Sequence, residues 1–152
     1  MKKQQLSYYE KRSIVSIVVL LSVYSSMFYD AFVYYQLDNP QQGLLNFWGN
    51  QFLELFLCLI VVYLVALLAF NLINKKITGE TRPKITDERD NSIELTAIHA
   101  SFYTLALGVF VAMLTGMWVE TYSLLFLIIL SSFMASGLVA DIIRIALYRK
   151  SS

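Results

Sequence analysis

The sequence predicts an all-α integral membrane protein, a four-helix bundle with both termini in the cytoplasm, and three observations predict it. Of its 152 residues, 57% are hydrophobic and 15% charged, with a mean hydropathy of +0.58. Four stretches without Asp, Glu, Lys or Arg are each long enough to cross a bilayer, and every Lys and Arg falls on one side of them. Soluble domains carry about 45–50% apolar and about 25% charged residues, so this composition excludes a disordered tail, a basic nucleic-acid binder and a disulfide-stapled secreted module.

The four stretches are Ser13 to Tyr29 (17 residues), Leu55 to Asn74 (20), Leu95 to Val119 (25) and Thr121 to Ala140 (20). A hydrocarbon core about 30 Å thick is crossed by about 20 helical residues, and a helix satisfies its own backbone hydrogen bonds there. None of the four alternates with the period of two that a lipid-facing barrel strand requires. The expected spans are 13–35, 52–73, 92–119 and 122–148, in one transmembrane domain covering 1–152. The first continues through Phe28, Ala31 and Val33, as a membrane helix does and a cleaved signal peptide does not. A fifth uncharged stretch, Asn39 to Leu53, is rich in Asn, Gln and Gly and reads as a polar loop, with room for a short interfacial helix at Leu44 to Trp48.

Orientation follows from charge. All twelve Lys and Arg residues lie before the first span, between the second and third, or at the end of the fourth. The opposite side carries Asp30, Asp38, Glu54 and Glu120 and no base; the two sides are +5 and −4, which leaves the net +1. The positive-inside bias therefore places both termini in the cytoplasm. Tyr34, Tyr35, Trp48, Trp118 and Tyr122 fall where an outer aromatic belt belongs, and Tyr8, Tyr9 and Tyr148 where an inner one does.

An ionisable residue in a membrane segment is a functional candidate by default. Asp30, Glu54 and Glu120 gather near the outer surface with no base among them, and form a candidate cation or proton site. Mid-span, around Leu21, Tyr63, Val109 and Ser131, there is no charge, which argues against a carrier with a buried carboxylate. At the inner surface, Asp141 and Arg144 are three apart on one helix and able to pair. With His99 and Glu94 at similar depth on the third span, they are expected to form a polar lock between two helix ends. One His and one Cys fill no usual zinc or haem ligand set, so no metal, cofactor or catalytic residue is expected. Cys58 is expected to pack as a small buried apolar group.

Gly108, Ala112 and Gly116 recur every four residues on the third span, and Ser132, Ser136 and Ala140 on the fourth. Such stripes let two backbones approach closely. The short turn at Glu120 favours an antiparallel hairpin over the rival arrangement, a homodimer seam.

The segment 75–94 is the most organised polar stretch. Gly79 and Pro83 interrupt any helix, and Thr86 or Asp87 then supplies an N-cap with Asp87, Glu88 and Asp90 in the first turn. The third helix is therefore expected to begin at 86, outside the membrane, and to offer Thr86, Asp87, Glu88, Arg89, Asp90 and Glu94 as a surface for a partner. The run Ile85-Thr86-Asp87-Glu88-Arg89-Asp90, with Ile93 and an apolar span after it, resembles the ITDERD-type motif of a family of small bacterial four-helix inner-membrane proteins. The resemblance covers Lys84 to Ser101 and implies a multi-pass protein of the bacterial cytoplasmic membrane. That family has no assigned activity, so it implies no catalytic residue.

The functional expectation is a non-enzymatic structural or regulatory protein embedded in the lipid bilayer and docking a cytoplasmic or membrane protein through 75–94. Nucleic acid is not expected as a partner. The alternative is an oligomeric channel or carrier for a small cation.

Overall fold

A computed structural model describes residues 7–36, 43–78, 87–118 and 122–150. They form four helices, α1 (Tyr8–Gln36), α2 (Leu44–Thr78), α3 (Glu88–Trp118) and α4 (Tyr122–Lys150), and no strand is found among the described residues. All four are long and apolar enough to cross a membrane.

Each helix starts where its sequence can satisfy the free N–H groups of a first turn. α1 begins at Tyr8, five residues before the expected Ser13, because Ser7 and Glu10 make a reciprocal capping box. The Ser7 N–H donates to Glu10 Oε2 (2.7 Å) and the Glu10 N–H to Ser7 Oγ (3.3 Å). Lys11 and Arg12 thus ride on the helix instead of preceding it. α2 begins at Leu44, eight residues before the expected Phe52. Gly43 adopts φ +89°, open to glycine at little cost, and its carbonyl accepts from the Phe47 N–H (2.9 Å). The polar loop expected over Asn39 to Leu53 is corrected from Leu44 onward: Trp48, Gln51 and Leu55 share one face of a continuous helix and are buried, Trp48 stacking on Phe126 of α4 (centroids 5.4 Å apart, planes at 19°). Packing here outweighs the weak propensity of Asn and Gly. Asp87 caps α3, its Oδ1 accepting from the Glu88 N–H (2.8 Å) and its carbonyl from the Asn91 N–H (3.1 Å). Thr86, the other candidate cap, lies outside the described residues.

The helices form an open bundle. α3 packs along α4, α4 along α1 and α1 along α2, whose contact with α4 is slight; α3 meets neither α1 nor α2 among the described residues. The α3–α4 seam is the small-residue one. A Cβ added to Gly108 would overlap the Ser132 side chain, and Ala112, Ser132, Ser136 and Ala140 are buried. The stripes therefore close within one chain.

Two ends of unlike chemistry result. Toward the α1–α2 connection an apolar core gathers Val23, Tyr24, Met27 and Ala31 of α1, Trp48 and Leu55 of α2 and Leu130 of α4. The other end collects the start of α1 and of α3 and the finish of α2 and of α4, with every described Lys and Arg; it is called the basic end below. Tyr8 and Tyr148, expected as interfacial anchors, are buried here instead: Tyr8 donates to Asn71 Oδ1 of α2, and Tyr148 stacks on Tyr9 (5.0 Å, 7°). Trp48 likewise leaves the expected outer belt for the core, while Trp118 and Tyr122 are exposed. Cys58 is also corrected. It is exposed, because α2 is an edge helix that among the described residues packs on α1 and, slightly, on α4.

Candidate functional site

Four helix faces converge at the basic end on one partly open cavity of about 300 Å³. α1 gives it Tyr9, Arg12, Ser13 and Ser16, a stripe at i, i+3, i+4 and i+7 that falls on one side of a helix. α4 gives Asp141, Arg144 and Tyr148 by the same periodicity, and α3 gives Asp90, Asn91 and Glu94 from its first turns. Tyr63 reaches in from α2. Seven residues separate Tyr9 from Ser16, so the cavity penetrates about 10 Å along α1. Every lining side chain carries a polar atom, in a chain that is 57% hydrophobic.

Arg144 organises one wall. Its Nε and Nη2 donate to Glu94 Oε2 (2.8 Å) and Oε1 (2.9 Å), a two-pronged contact from α4 to α3, and its Nη1 donates to Asp141 Oδ1 (2.9 Å). Planar guanidinium and carboxylate match in this geometry, which makes the pair both strong and directional. The Asp141 side chain is 4% exposed, so its charge depends on Arg144 for compensation. Tyr148 of α4 and Asp90 of α3 line the same cavity. Glu10 accepts from Arg149 Nε (3.3 Å) and ties α1 to the end of α4.

The expected site residues distribute unevenly. Glu94, Asp141 and Arg144 come together. His99 does not join them and is exposed: five residues beyond Glu94 place it about 140° around α3. Of the surface expected at the start of α3, Asp87, Glu88 and Arg89 are exposed, whereas Asp90 and Glu94 turn into the cavity, and Ile93 and Ala97 are buried. Thr86 lies outside the described residues, as does Glu120. Asp30 and Glu54 are both exposed, and neither forms a hydrogen bond or ion pair with another described residue. With Tyr8 level with Asn71, Asp30 comes level with residue 49 of α2, so Glu54 sits about 7 Å further along. Among the described residues no three of His, Cys, Asp and Glu converge to hold a metal ion.

The α1 stripe was the part that sequence reasoning missed. Arg12 reads as a flanking positive charge and Ser13 and Ser16 as ordinary small residues of a span. The signal was their spacing with Tyr9 on a helix assumed to start only at Ser13. No protein-family model, curated protein or solved structure matches this chain.

Proposed function

We propose that this chain is a non-enzymatic multi-pass membrane protein, structural or regulatory, that docks a protein partner through the exposed start of α3. The observation that carries the reading is the Glu94–Arg144–Asp141 cluster. It fixes the first turns of α3 against α4, so that Asp87, Glu88 and Arg89 stand out on a rigid platform and a partner need not order them on binding. The concentration of described bases at one end supports a cytoplasmic position for that end, and the ITDERD likeness supports a bacterial inner membrane. The exposed apolar side chains of α2, Leu57, Ile60, Val61, Leu64 and Leu68 among them, suit acyl chains or a second copy of the chain. The cation carrier is the weaker reading, because Asp30 and Glu54 face outward separately and the cavity lies at the opposite end.

A photoreactive amino acid placed at Asp87, Glu88 or Arg89 in living cells is expected to trap one discrete protein. The same group at buried Ile93 is expected to trap none. A blank at all three exposed positions would overturn the docking reading.

A further inference from the structure

The cavity carries a feature that neither the clamp nor the docking surface uses. Most hydroxyls within the spans, Ser22, Thr104 and Ser131 for example, donate to a backbone carbonyl one turn back. Ser13 and Ser16 are 3% and 4% exposed and bond to nothing among the described residues, although both line the cavity. Their hydroxyls face the cavity, where a ligand can reach them. Beside them stands Arg12, which makes no ion pair or hydrogen bond among the described residues, whereas Arg144 is already held by two carboxylates. Donors for an anion therefore lie together along α1.

The facing wall has the opposite sign. Asp90, Glu94 and Asp141 outnumber the two guanidinium groups, so the lining is formally −1 and disfavours a bare anion. A bare cation would leave Arg12 and the serine hydroxyls unanswered. A ligand with a phosphate at one end and an ammonium at the other satisfies both walls, and about 300 Å³ suits a compact one. Within the described residues no helix seam joins α3 to α1 or α2 around this cavity. It opens among the helix ends that carry the described bases, and basic pockets between such ends take lipid headgroups through their phosphates.

We propose that this cavity binds a phosphoethanolamine group, its phosphate on Arg12, Ser13 and Ser16 and its ammonium toward Asp90 and Glu94. The chemistry is shared by a phosphatidylethanolamine headgroup and by free phosphoethanolamine. The site is independent of partner docking, since neither Arg12 nor Ser16 lies on the exposed start of α3.

Native mass spectrometry of the full chain in detergent, with added dioleoylphosphatidylethanolamine or dioleoylphosphatidylglycerol, tests it. The ethanolamine lipid is expected to bind about tenfold more tightly than the glycerol lipid, as one charge-assisted contact of about 1.4 kcal/mol would give. Arg12→Gln with Ser16→Ala removes phosphate contacts that both lipids share, so it should weaken both about tenfold and leave the thermal unfolding curve in place, whereas Asp90→Asn should abolish the preference. Displacement of the lipid by millimolar O-phosphoethanolamine supports the site with a soluble ligand as its source; resistance to displacement supports it with the membrane as source. Equal binding of the two lipids by the parent chain, an ethanolamine preference that survives Asp90→Asn, or undiminished binding to the double variant overturns the assignment.

Discussion

Arg144→Met is expected to lower the stability of the bundle by about 3–5 kcal/mol, the usual consequence of deleting one partner of a buried ion cluster. The loss arises from what remains. Asp141, with its side chain 4% exposed, would keep a carboxylate facing the cavity with no counter-charge, and Glu94 would lose both prongs of its contact. The three residues should not contribute equally. Glu94 has a side chain 49% exposed, so Glu94→Gln leaves solvent to screen the change and should cost about 1 kcal/mol. Asp141→Asn added to Arg144→Met removes the stranded charge and is expected to restore more than half of the loss. Reversible unfolding in mixed micelles reads all four chains. A change below about 0.5 kcal/mol for Arg144→Met would mean that the cluster is not closed in the protein in solution.

Gly108→Leu is expected to force α3 and α4 apart. Between membrane helices there is no hydrophobic drive to compensate a poor fit, since lipid chains are as apolar as leucine, and association rests on close contact. At Gly108 the approach leaves no space: an added Cβ would overlap the Ser132 side chain and come within 3.4 Å of its Cα. Overpacking of this kind costs about 1–3 kcal/mol, and leucine should reach or exceed the upper figure. Gly116→Ala supplies the graded control. Its Cβ would meet only Leu125 Cδ1 at 3.0 Å, the end of a side chain able to rotate away, so the effect should be small. Ser132→Gly should partly rescue Gly108→Ala. The fraction of chain in which a Gly108 variant blocks a disulfide between cysteines placed at Ala112 and Ile128 measures the separation directly. A Gly108→Leu chain as stable as the parent, with that disulfide intact, would contradict the seam.

The legible part of this protein was what one-dimensional patterns fix. Charge-free length marked the four helices, and the Gly108/Ala112/Gly116 and Ser132/Ser136/Ala140 stripes marked the α3–α4 seam, because backbone approach needs small residues at helical spacing. Arg144, Asp141 and Glu94 could be placed together from depth alone. What remained hidden depended on where helices begin and which faces meet. Without Ser7 and Glu10 recognised as a capping box, α1 started too late for Tyr9, Arg12, Ser13 and Ser16 to be seen as one face. Gln51 looked like a loop residue and Trp48 like the end of a short interfacial helix, because only their burial reveals one continuous helix. Asp90 was assigned outward, since a charged first turn ordinarily faces solvent, and a polar cavity inside the bundle end has no signature in composition.

Everything proposed for the basic end requires that the chain cross the bilayer four times with that end in the cytoplasm. In a Cys58→Ala background, Gln41→Cys and Ser152→Cys each report one side to a maleimide that cannot enter cells. Four crossings with cytoplasmic termini give labelling at position 41 in intact cells and at position 152 only after permeabilisation. Labelling of position 152 in intact cells, or protection of position 41, would contradict that topology and with it the cytoplasmic docking surface.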